Sequence, residues 1–247
     1  MTLLEVSGLD VRHGLLQAVR SVDLQVGDGE RVALVGANGA GKTTLLRTVA
    51  GALRPDAGSI SFAGQDITRL PAHRRVQLGI SLVPEGRRLF PDLTVEENLM
   101  VAGRHGPGGG WTVDRVLEAF PMLRAVRGHR AATLSGGEQQ ATAIGRALMN
   151  NPRLVLLDEV SLGLAPIAVD AVYSSLQSLL EGGSAVLLVE QDLARAMSVA
   201  DRVVCMLEGR VVLEGPSREL SREQVTEAYF GLRRSGGQRT GSGAGTA

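Results

Sequence analysis

Short, almost wholly apolar runs recur along the chain, and stretches with helical spacing separate them. The runs are Arg31–Val35, Ile80–Val83, Arg153–Leu157, Ala185–Val189 and Arg202–Leu207. Strands buried on both faces of a parallel sheet have this composition. The intervening stretches predict helices at Thr43–Ala50, Ser135–Met149, Pro166–Leu180 and Leu193–Val199. This alternation predicts an α/β fold.

The N-terminal portion has a different pattern, in which apolar and polar residues alternate. The segments LLEVSGLDVRHG and RSVDLQVGDGERVALV, with the turn pair Asp28-Gly29, predict antiparallel strands. GSISFAGQDI predicts a further hairpin, and MLEGRVVLEG predicts two strands joined at Glu208-Gly209. The α/β core is therefore expected to carry an N-terminal antiparallel β subdomain.

The middle of the chain, from Phe90 to about Ala132, contains no strand-like run. Thr94 to Glu97 form a capping box that predicts a helix start, and Thr112 opens a helix through Phe120. We predict one domain over residues 1–232, with a helical subdomain inserted at about residues 90–145. Residues 233–247 are rich in Gly, Ser and Thr, which predicts a disordered tail.

Charge and composition narrow the possible functions. The 26 basic and 26 acidic residues balance, which argues against nucleic acid as the main ligand. No apolar run reaches the roughly 18 to 20 residues that span a bilayer, and the start of the chain has no signal-peptide pattern. The single cysteine, Cys205, fits a reducing compartment. We expect a protein of the cytosol, or one held at a membrane by a partner.

The only lysine, Lys42, lies in the segment GANGAGKTTLL. This segment matches G-x-x-x-x-G-K-[ST] between a predicted strand and a predicted helix, the context of a phosphate-binding loop. A compact ammonium can reach the β- and γ-phosphates where the wider guanidinium of arginine would not fit. The predicted nucleotide-binding residues are Gly36, Ala37, Asn38, Gly39, Ala40, Gly41, Lys42, Thr43 and Thr44.

Two acids follow a predicted buried strand in the segment RLVLLDE. Asp158 can hold Mg²⁺ together with the Thr43 hydroxyl, and Glu159 can orient or deprotonate an attacking water. Two acids after an apolar run are common at helix starts. Together with the phosphate loop, however, they predict hydrolysis of a nucleotide.

A second anion site is predicted in the segment LSGGEQQ. Ser135 and Glu138 form a capping box, and Gly136 and Gly137 expose backbone amides at the helix start. The chain has only one phosphate loop. This second site therefore binds another anion, or it meets a nucleotide held by another molecule.

The order of these three motifs resembles that of the ATP-binding cassette (ABC) ATPases, from about Leu3 to Gly231. The resemblance implies a P-loop NTPase fold with a RecA-like core, the antiparallel β subdomain and the inserted helical subdomain. It also implies that ATP and Mg²⁺ lie between the phosphate loop of one cassette and the signature residues of a second. Those signature residues are Ser135, Gly136, Gly137 and Glu138.

Longer segments are similar to the ATPases of branched-chain amino acid importers. They are VPEGRRLFPDLTVEENL, LSGGEQQATAIGRALMNNPRL and SLGLAPI. The resemblance implies an ATPase at the cytoplasmic face of the membrane that powers import through permease subunits. A secreted solute-binding protein would be an indirect partner.

Two further residues match this importer subgroup. Glu85 stands where most cassettes have glutamine, and the resemblance gives it a role at Mg²⁺ or the attacking water. Its partner is expected to be the metal or a base such as Arg87 or Arg88; the alternative is a surface-loop acid. Gln191 replaces the usual histidine and is expected to position the γ-phosphate by a neutral hydrogen bond.

Two departures from the family pattern bear on activity. Val160 replaces a proline, which frees φ beside Glu159 and is expected to loosen the loop and slow hydrolysis without abolishing it. His13 lies where the family stacks an aromatic ring on adenine, and imidazole offers less stacking area. A structural or solvent-exposed histidine is the alternative.

Other functions remain open. A cassette for urea or short amides would use similar machinery, and the second cassette could be a copy of this chain or a sister subunit. A soluble ATPase acting on ribosomes or DNA usually has two cassettes or a long coiled-coil insert, which this sequence lacks. Val160 raises the alternative of a binding module without catalytic activity. The presence of Lys42, Asp158 and Glu159 argues against this alternative.

Overall fold

The structure is a computed structural model that describes residues 1–103, 106, 110–181 and 183–232. The strands are β1 (Thr2–His13), β2 (Leu16–Gly27), β3 (Arg31–Val35), β4 (Ala57–Phe62), β5 (Gln65–Asp66), β6 (Ile80–Val83), β7 (Leu154–Asp158), β8 (Ala185–Val189), β9 (Arg202–Leu207) and β10 (Arg210–Pro216). The α-helices are α1 (Lys42–Val49), α2 (Ala72–Gln77), α3 (Val95–Ala102), α4 (Val113–Ala119), α5 (Gly136–Leu148), α6 (Pro166–Glu181), α7 (Leu193–Val199) and α8 (Arg222–Phe230). The predicted tail, residues 233–247, lies outside the described residues.

The strands form two sheets, as the sequence pattern predicts. The antiparallel sheet has four strands in the order β2-β1-β4-β5. The second sheet has six strands in the order β10-β9-β3-β8-β7-β6; its strands pair in parallel from β9 to β6, and β10 pairs antiparallel. This arrangement confirms the α/β core and the antiparallel β subdomain.

Apolar packing covers both faces of the six-stranded sheet. Side chains of β7 alternate between two core clusters: Leu154 and Leu156 face the antiparallel sheet and α1, whereas Val155 and Leu157 face the inserted helices. Every residue of β7 and β8 is buried. Because both faces of these strands are buried, their sequences are continuous apolar runs.

The helical insert between β6 and β7 contains α3, α4 and α5. Thr94 and Ser135 form the predicted capping boxes at the starts of α3 and α5, and the Thr112 side chain caps α4. These contacts satisfy amide groups that a helix start leaves unpaired. None of the helices in the described part of the chain has the length and apolarity needed to span a membrane.

Parallel pairing sets the position of the candidate site. Strands β3, β8 and β7 are neighbours that run in the same direction. Their carboxyl ends meet at one edge of the sheet, which is where ligands bind in open α/β folds. The phosphate loop follows β3, Asp158 ends β7, and Gln191 lies just after β8.

Candidate functional site

The loop between β3 and α1 encloses the Lys42 side chain. The Lys42 ammonium donates hydrogen bonds to the carbonyl oxygens of Gly36 at 2.7 Å and Ala37 at 3.0 Å. Burial lowers the pKa of Lys42, and the nearby Glu159 and Asp158 carboxylates partly offset this effect. The ammonium is thus held among loop carbonyls, at the place where phosphates would bind above the amides of the helix start.

Two glycines of this loop lie against backbone from other strands. Gly36 and Gly41 have φ values of 149° and 100°. A Cβ atom on Gly36 would lie 2.2 Å from the Met206 carbonyl oxygen, and one on Gly41 would lie 2.3 Å from that of Ala18. The loop therefore needs glycine for its close packing against β9 and β2 as well as for its backbone conformation.

The pair formed by Thr43 and Asp158 fits a divalent cation. The Thr43 hydroxyl donates to Asp158 Oδ1 at 2.8 Å, while Oδ2 is buried and has no hydrogen-bond partner. Burial raises the pKa of Asp158, and the hydrogen bond from Thr43 opposes this shift. Among the described residues, no group of three or more His, Cys, Asp or Glu is placed to hold a metal ion by itself. Phosphate and water oxygens would complete the shell of a Mg²⁺ ion here, as is usual for this metal.

A cleft opens above the phosphate loop, and we call it the nucleotide cleft. The predicted residues Glu85, Glu159 and Gln191 all line it. Its full lining is His13, Leu16, Ala18, Asn38, Gly39, Gly41, Lys42, Thr43, Thr44, Glu85, Glu159, Leu162 and Gln191. The structure thus brings residues from five separate parts of the sequence around Lys42.

His13 lies at the exposed rim of the nucleotide cleft. Its Nε2 atom is 3.2 Å from the Thr44 hydroxyl, and its side chain is open to solvent. The imidazole is therefore accessible to the nucleobase of a nucleotide whose phosphates lie at the phosphate loop.

The signature residues do not line the nucleotide cleft. Ser135 and Glu138 bond each other's backbone amides at the start of α5. A Cβ atom on Gly137 would lie 2.9 Å from the Ala168 side chain of α6. The segment is therefore a capped helix start packed on α6, separate from the cleft of its own chain.

Arg87 connects the loop that carries Glu85 to the signature helix. Its guanidinium donates to Gln139 Oε1 at 2.8 Å, and its carbonyl oxygen accepts from Arg146 at 3.2 Å. Gln139 belongs to α5. This arginine, one of the two bases considered as partners of Glu85, is thus engaged by the signature helix instead.

The residue that replaces proline is part of the core. Val160 is buried and packs in the cluster that contains the inserted helices. Beside it, Glu159 has a φ of 49°, and its amide donates to the Val189 carbonyl oxygen at 3.2 Å. The loop after β7 is therefore anchored to β8 without the proline.

Sequence reasoning missed one buried acid next to the nucleotide cleft. Glu190 is 2% exposed and directly precedes Gln191. Its only sequence signal was a charged residue at the end of an apolar strand, which carries little information because its partners are distant in the sequence.

The nucleotide cleft combines a phosphate loop, a buried carboxylate beside a hydroxyl, and the carboxylate of Glu159 in its lining. These are the parts with which P-loop NTPases bind a nucleoside triphosphate and hydrolyse it, so fold and site define the class of protein. The sequence profile of the ABC transporter family matches residues 19–161. The chain belongs to the ABC transporter family, as one of its ATPases.

Three curated relatives illustrate the range of this similarity. The high-affinity branched-chain amino acid transport ATP-binding protein BraG of Pseudomonas aeruginosa is 43% identical, over 93% of this chain and 100% of that protein. The probable branched-chain amino acid transport ATP-binding protein LivF of Archaeoglobus fulgidus is 34% identical, over 91% and 97%. The lipopolysaccharide export system ATP-binding protein LptB of Haemophilus influenzae is also 34% identical, over 94% and 98%.

Solved structures agree with the fold. The ADP conformation of MJ1267, an ATP-binding cassette of an ABC transporter, has a TM-score of 0.82 at 27% identity, over 94% of this chain and 99% of that one. A dimeric post-hydrolysis state of the cassette MJ0796, bound to ADP and Pi, has a TM-score of 0.76 at 26% identity, over 87% and 99%.

Proposed function

We propose that this chain hydrolyses ATP to power the import of branched-chain or related hydrophobic amino acids through partner permease subunits. The observation that carries the choice of solute is the 43% identity to BraG along the whole length of that protein. Glu85 and Gln191, the two cleft residues that resemble the importer subgroup, support the same choice. The ATPase would lie at the cytoplasmic face of the membrane, with a secreted solute-binding protein as an indirect partner.

Two cassettes would complete each ATP site. In one copy the nucleotide cleft contains the phosphate loop but no signature residue. Ser135, Gly136 and Gly137 would supply amides and a hydroxyl to the nucleotide of the facing copy. The exposed apolar side chains of Leu162 and Ile167 would be covered in such a dimer. The dimeric structure of MJ0796 provides a precedent for a dimer of cassettes.

Each cleft residue would have a distinct role. Lys42 and the loop amides would hold the phosphates, and His13 would stack on adenine. Thr43, Asp158 and Glu85 would hold Mg²⁺, which neutralises charge on the β- and γ-phosphates when bound. Glu159 would orient and deprotonate the attacking water, while Gln191 would donate a hydrogen bond to the γ-phosphate.

Closure of the two cassettes would reach the permease through the helical insert. Arg87 joins the Glu85 loop to α5 by a hydrogen bond to Gln139, and this contact would carry a shift at the γ-phosphate to the insert. Among the described residues of the insert, the large apolar side chains of Phe90, Met100 and Val101 are exposed and would contact the permease. ATP then biases an equilibrium between open and closed pairs, and hydrolysis reopens them.

The Glu159→Gln variant tests the ATPase part of this proposal. It keeps shape and polarity but removes the base, so ATP turnover is expected to fall by at least about 100-fold. With ATP present, the variant should sediment as a dimer, and adding Ser135→Arg should return it to a monomer. The proposal is wrong if the monomeric Ser135→Arg variant alone hydrolyses ATP at the full rate.

Transport in proteoliposomes tests the solute. The cassette is combined with its permease subunits and binding protein, and uptake of leucine, valine, urea and acetamide is compared with ATP at the cassette side. We expect ATP-dependent uptake of leucine and valine. Uptake of urea or acetamide alone would establish the alternative importer. The similarity to LptB favours a test of lipopolysaccharide export if no small solute moves.

A further inference from the structure

Glu190 occupies an unusual position for a carboxylate, because it is buried between the nucleotide cleft and α6. It directly follows β8 and directly precedes Gln191. Its oxygens accept hydrogen bonds from Ser161, at 3.0 and 2.9 Å, and from the hydroxyl of Tyr173. They also accept from the backbone amides of Gln191 at 2.9 Å and Asp192 at 3.1 Å.

These donors come from three different segments of the site. Ser161 belongs to the loop after Glu159, Tyr173 belongs to α6, and the two amides belong to the turn between β8 and α7. A buried carboxylate is costly unless donors surround it, so its removal would release all three segments from one another.

The hydroxyl of Tyr173 stays a donor in this network. Burial, together with the nearby Glu190, raises the pKa of Tyr173 above its usual range. The phenol is therefore protonated at neutral pH and donates to Glu190 from α6.

We infer that Glu190 is a positioning residue, which fixes the backbone of Gln191 against the γ-phosphate site and ties it to the loop that follows Glu159. The inference rests on the proposed role of Gln191. Glu190 does not line the nucleotide cleft, so it acts through Gln191 and Ser161. Through Ser161, the same carboxylate makes the position of Gln191 depend on the loop that carries Leu162 into the cleft.

A double-mutant cycle between Glu190→Gln and Gln191→Ala tests this inference. The amide of E190Q presents one acceptor oxygen where the carboxylate presents two, so it cannot satisfy all the donors. We expect kcat to fall about tenfold with KM for ATP within about twofold, because the phosphate loop is unchanged. We also expect the double variant to be no slower than Q191A alone.

A matched control separates positioning from general loss of stability. Glu30→Gln removes a half-buried carboxylate that pairs with Arg202 away from the cleft. This variant should lower stability while leaving kcat near the wild-type value, and any loss should add to that of Q191A. If E190Q does not fold, Tyr173→Phe replaces it in the same cycle, since this variant removes one donor and leaves the carboxylate in place.

The outcomes distinguish this inference from the proposed function. If the loss of kcat in E190Q adds to the loss in Q191A, the role of Glu190 is overturned while the role of Gln191 stands. An unchanged kcat in Q191A would overturn the role of Gln191 and, with it, the role of Glu190. A non-additive cycle with a normal KM supports both.

Discussion

Lys42 is the only lysine of the chain and is only 4% exposed. Its ammonium reaches two carbonyl oxygens of the loop, and that loop is pressed between β2 and β9 at its glycines. A guanidinium is planar, wider and carries five donors in a fixed fork. The space around this side chain therefore suits a compact point charge, which explains lysine in a chain that otherwise uses arginine.

The substitution Lys42→Arg is expected to lower ATP turnover by about 100-fold, because the charge is kept but its position against the phosphates is lost. The rate of phosphate release measures turnover, and a nucleotide-binding assay measures affinity. Arg54→Lys is the matched control: Arg54 is exposed and outside the cleft, so its exchange should leave turnover unchanged. Turnover in K42R within about threefold of wild type would contradict this explanation.

Residues within one loop were predictable, whereas their distant partners were not. The segment from Gly36 to Thr43 is contiguous, and its pattern predicts its function. The contacts of Gly36 and Gly41 with Met206 and Ala18 depend on strands far along the chain, so no local pattern predicts them. The same reason explains why Arg87 was considered as a partner of Glu85 rather than of Gln139.

At the level of elements, Arg75 of α2 holds the end of the phosphate-loop helix. Its guanidinium is 1% exposed and donates to four carbonyl oxygens without a carboxylate. Two of these acceptors, on Thr48 and Val49, end α1, where the helix dipole favours a cation. The helix that begins at the nucleotide is therefore fixed at its other end by α2.

Replacing Arg75 with methionine should lower the free energy of unfolding by about 3 kcal/mol, because buried carbonyl groups lose their donor. Urea denaturation measures this loss. Arg74→Met is the control: the exposed Arg74 side chain donates to Gln77, one turn further along α2, and its loss should cost less than about 0.5 kcal/mol. Equal losses in the free energy of unfolding of the two variants would show that Arg75 does not fix the end of α1.

Most elements followed from apolar periodicity or from capping residues, whereas the two short helices α2 and α8 were not predicted. The prediction for Leu193–Val199 matches α7 residue for residue. The only buried residue of α2 is Arg75, so this helix has no apolar stripe to detect. By contrast, α8 begins with a capping box formed by Ser221 and Gln224, and this signal was present in the sequence.

Across the whole molecule, Arg202 joins the two sheets. It lies at the start of β9 and bonds Glu30, which precedes β3, at 2.7 and 3.1 Å. It also bonds Glu214 of β10 and the carbonyl oxygen of Gln25 in β2. One guanidinium thus connects the antiparallel sheet to the edge of the six-stranded sheet.

This connection should make stability depend on pH. Burial alone would raise the pKa of Glu30, but hydrogen bonds from Arg202 and the Gly27 amide lower it below its ordinary value of 4.5. A carboxyl whose pKa is lower in the folded state stabilises the protein above the unfolded pKa, and this contribution is lost as pH falls through the folded value.

The variant Glu30→Gln should therefore be less stable than wild type by about 1 to 2 kcal/mol at pH 7, and the difference should shrink as the pH falls below 4.5. Urea denaturation at several pH values measures the difference in the free energy of unfolding and its change with pH. The control Glu118→Gln changes an exposed acid of α4 and should keep the wild-type pH dependence. A difference that stays constant with pH would contradict the assignment.

The solitary lysine has a practical consequence. Lys42 is the one side-chain primary amine in the 247 residues, because all the other members of the Lys and Arg set are arginine. Amine-coupling reagents, such as dyes, biotin esters or activated sensor surfaces, therefore have no side-chain target outside the nucleotide cleft. The lone thiol offers no substitute, since Cys205 is buried. Immobilisation or labelling of this enzyme is therefore best directed to an added tag or an introduced surface cysteine.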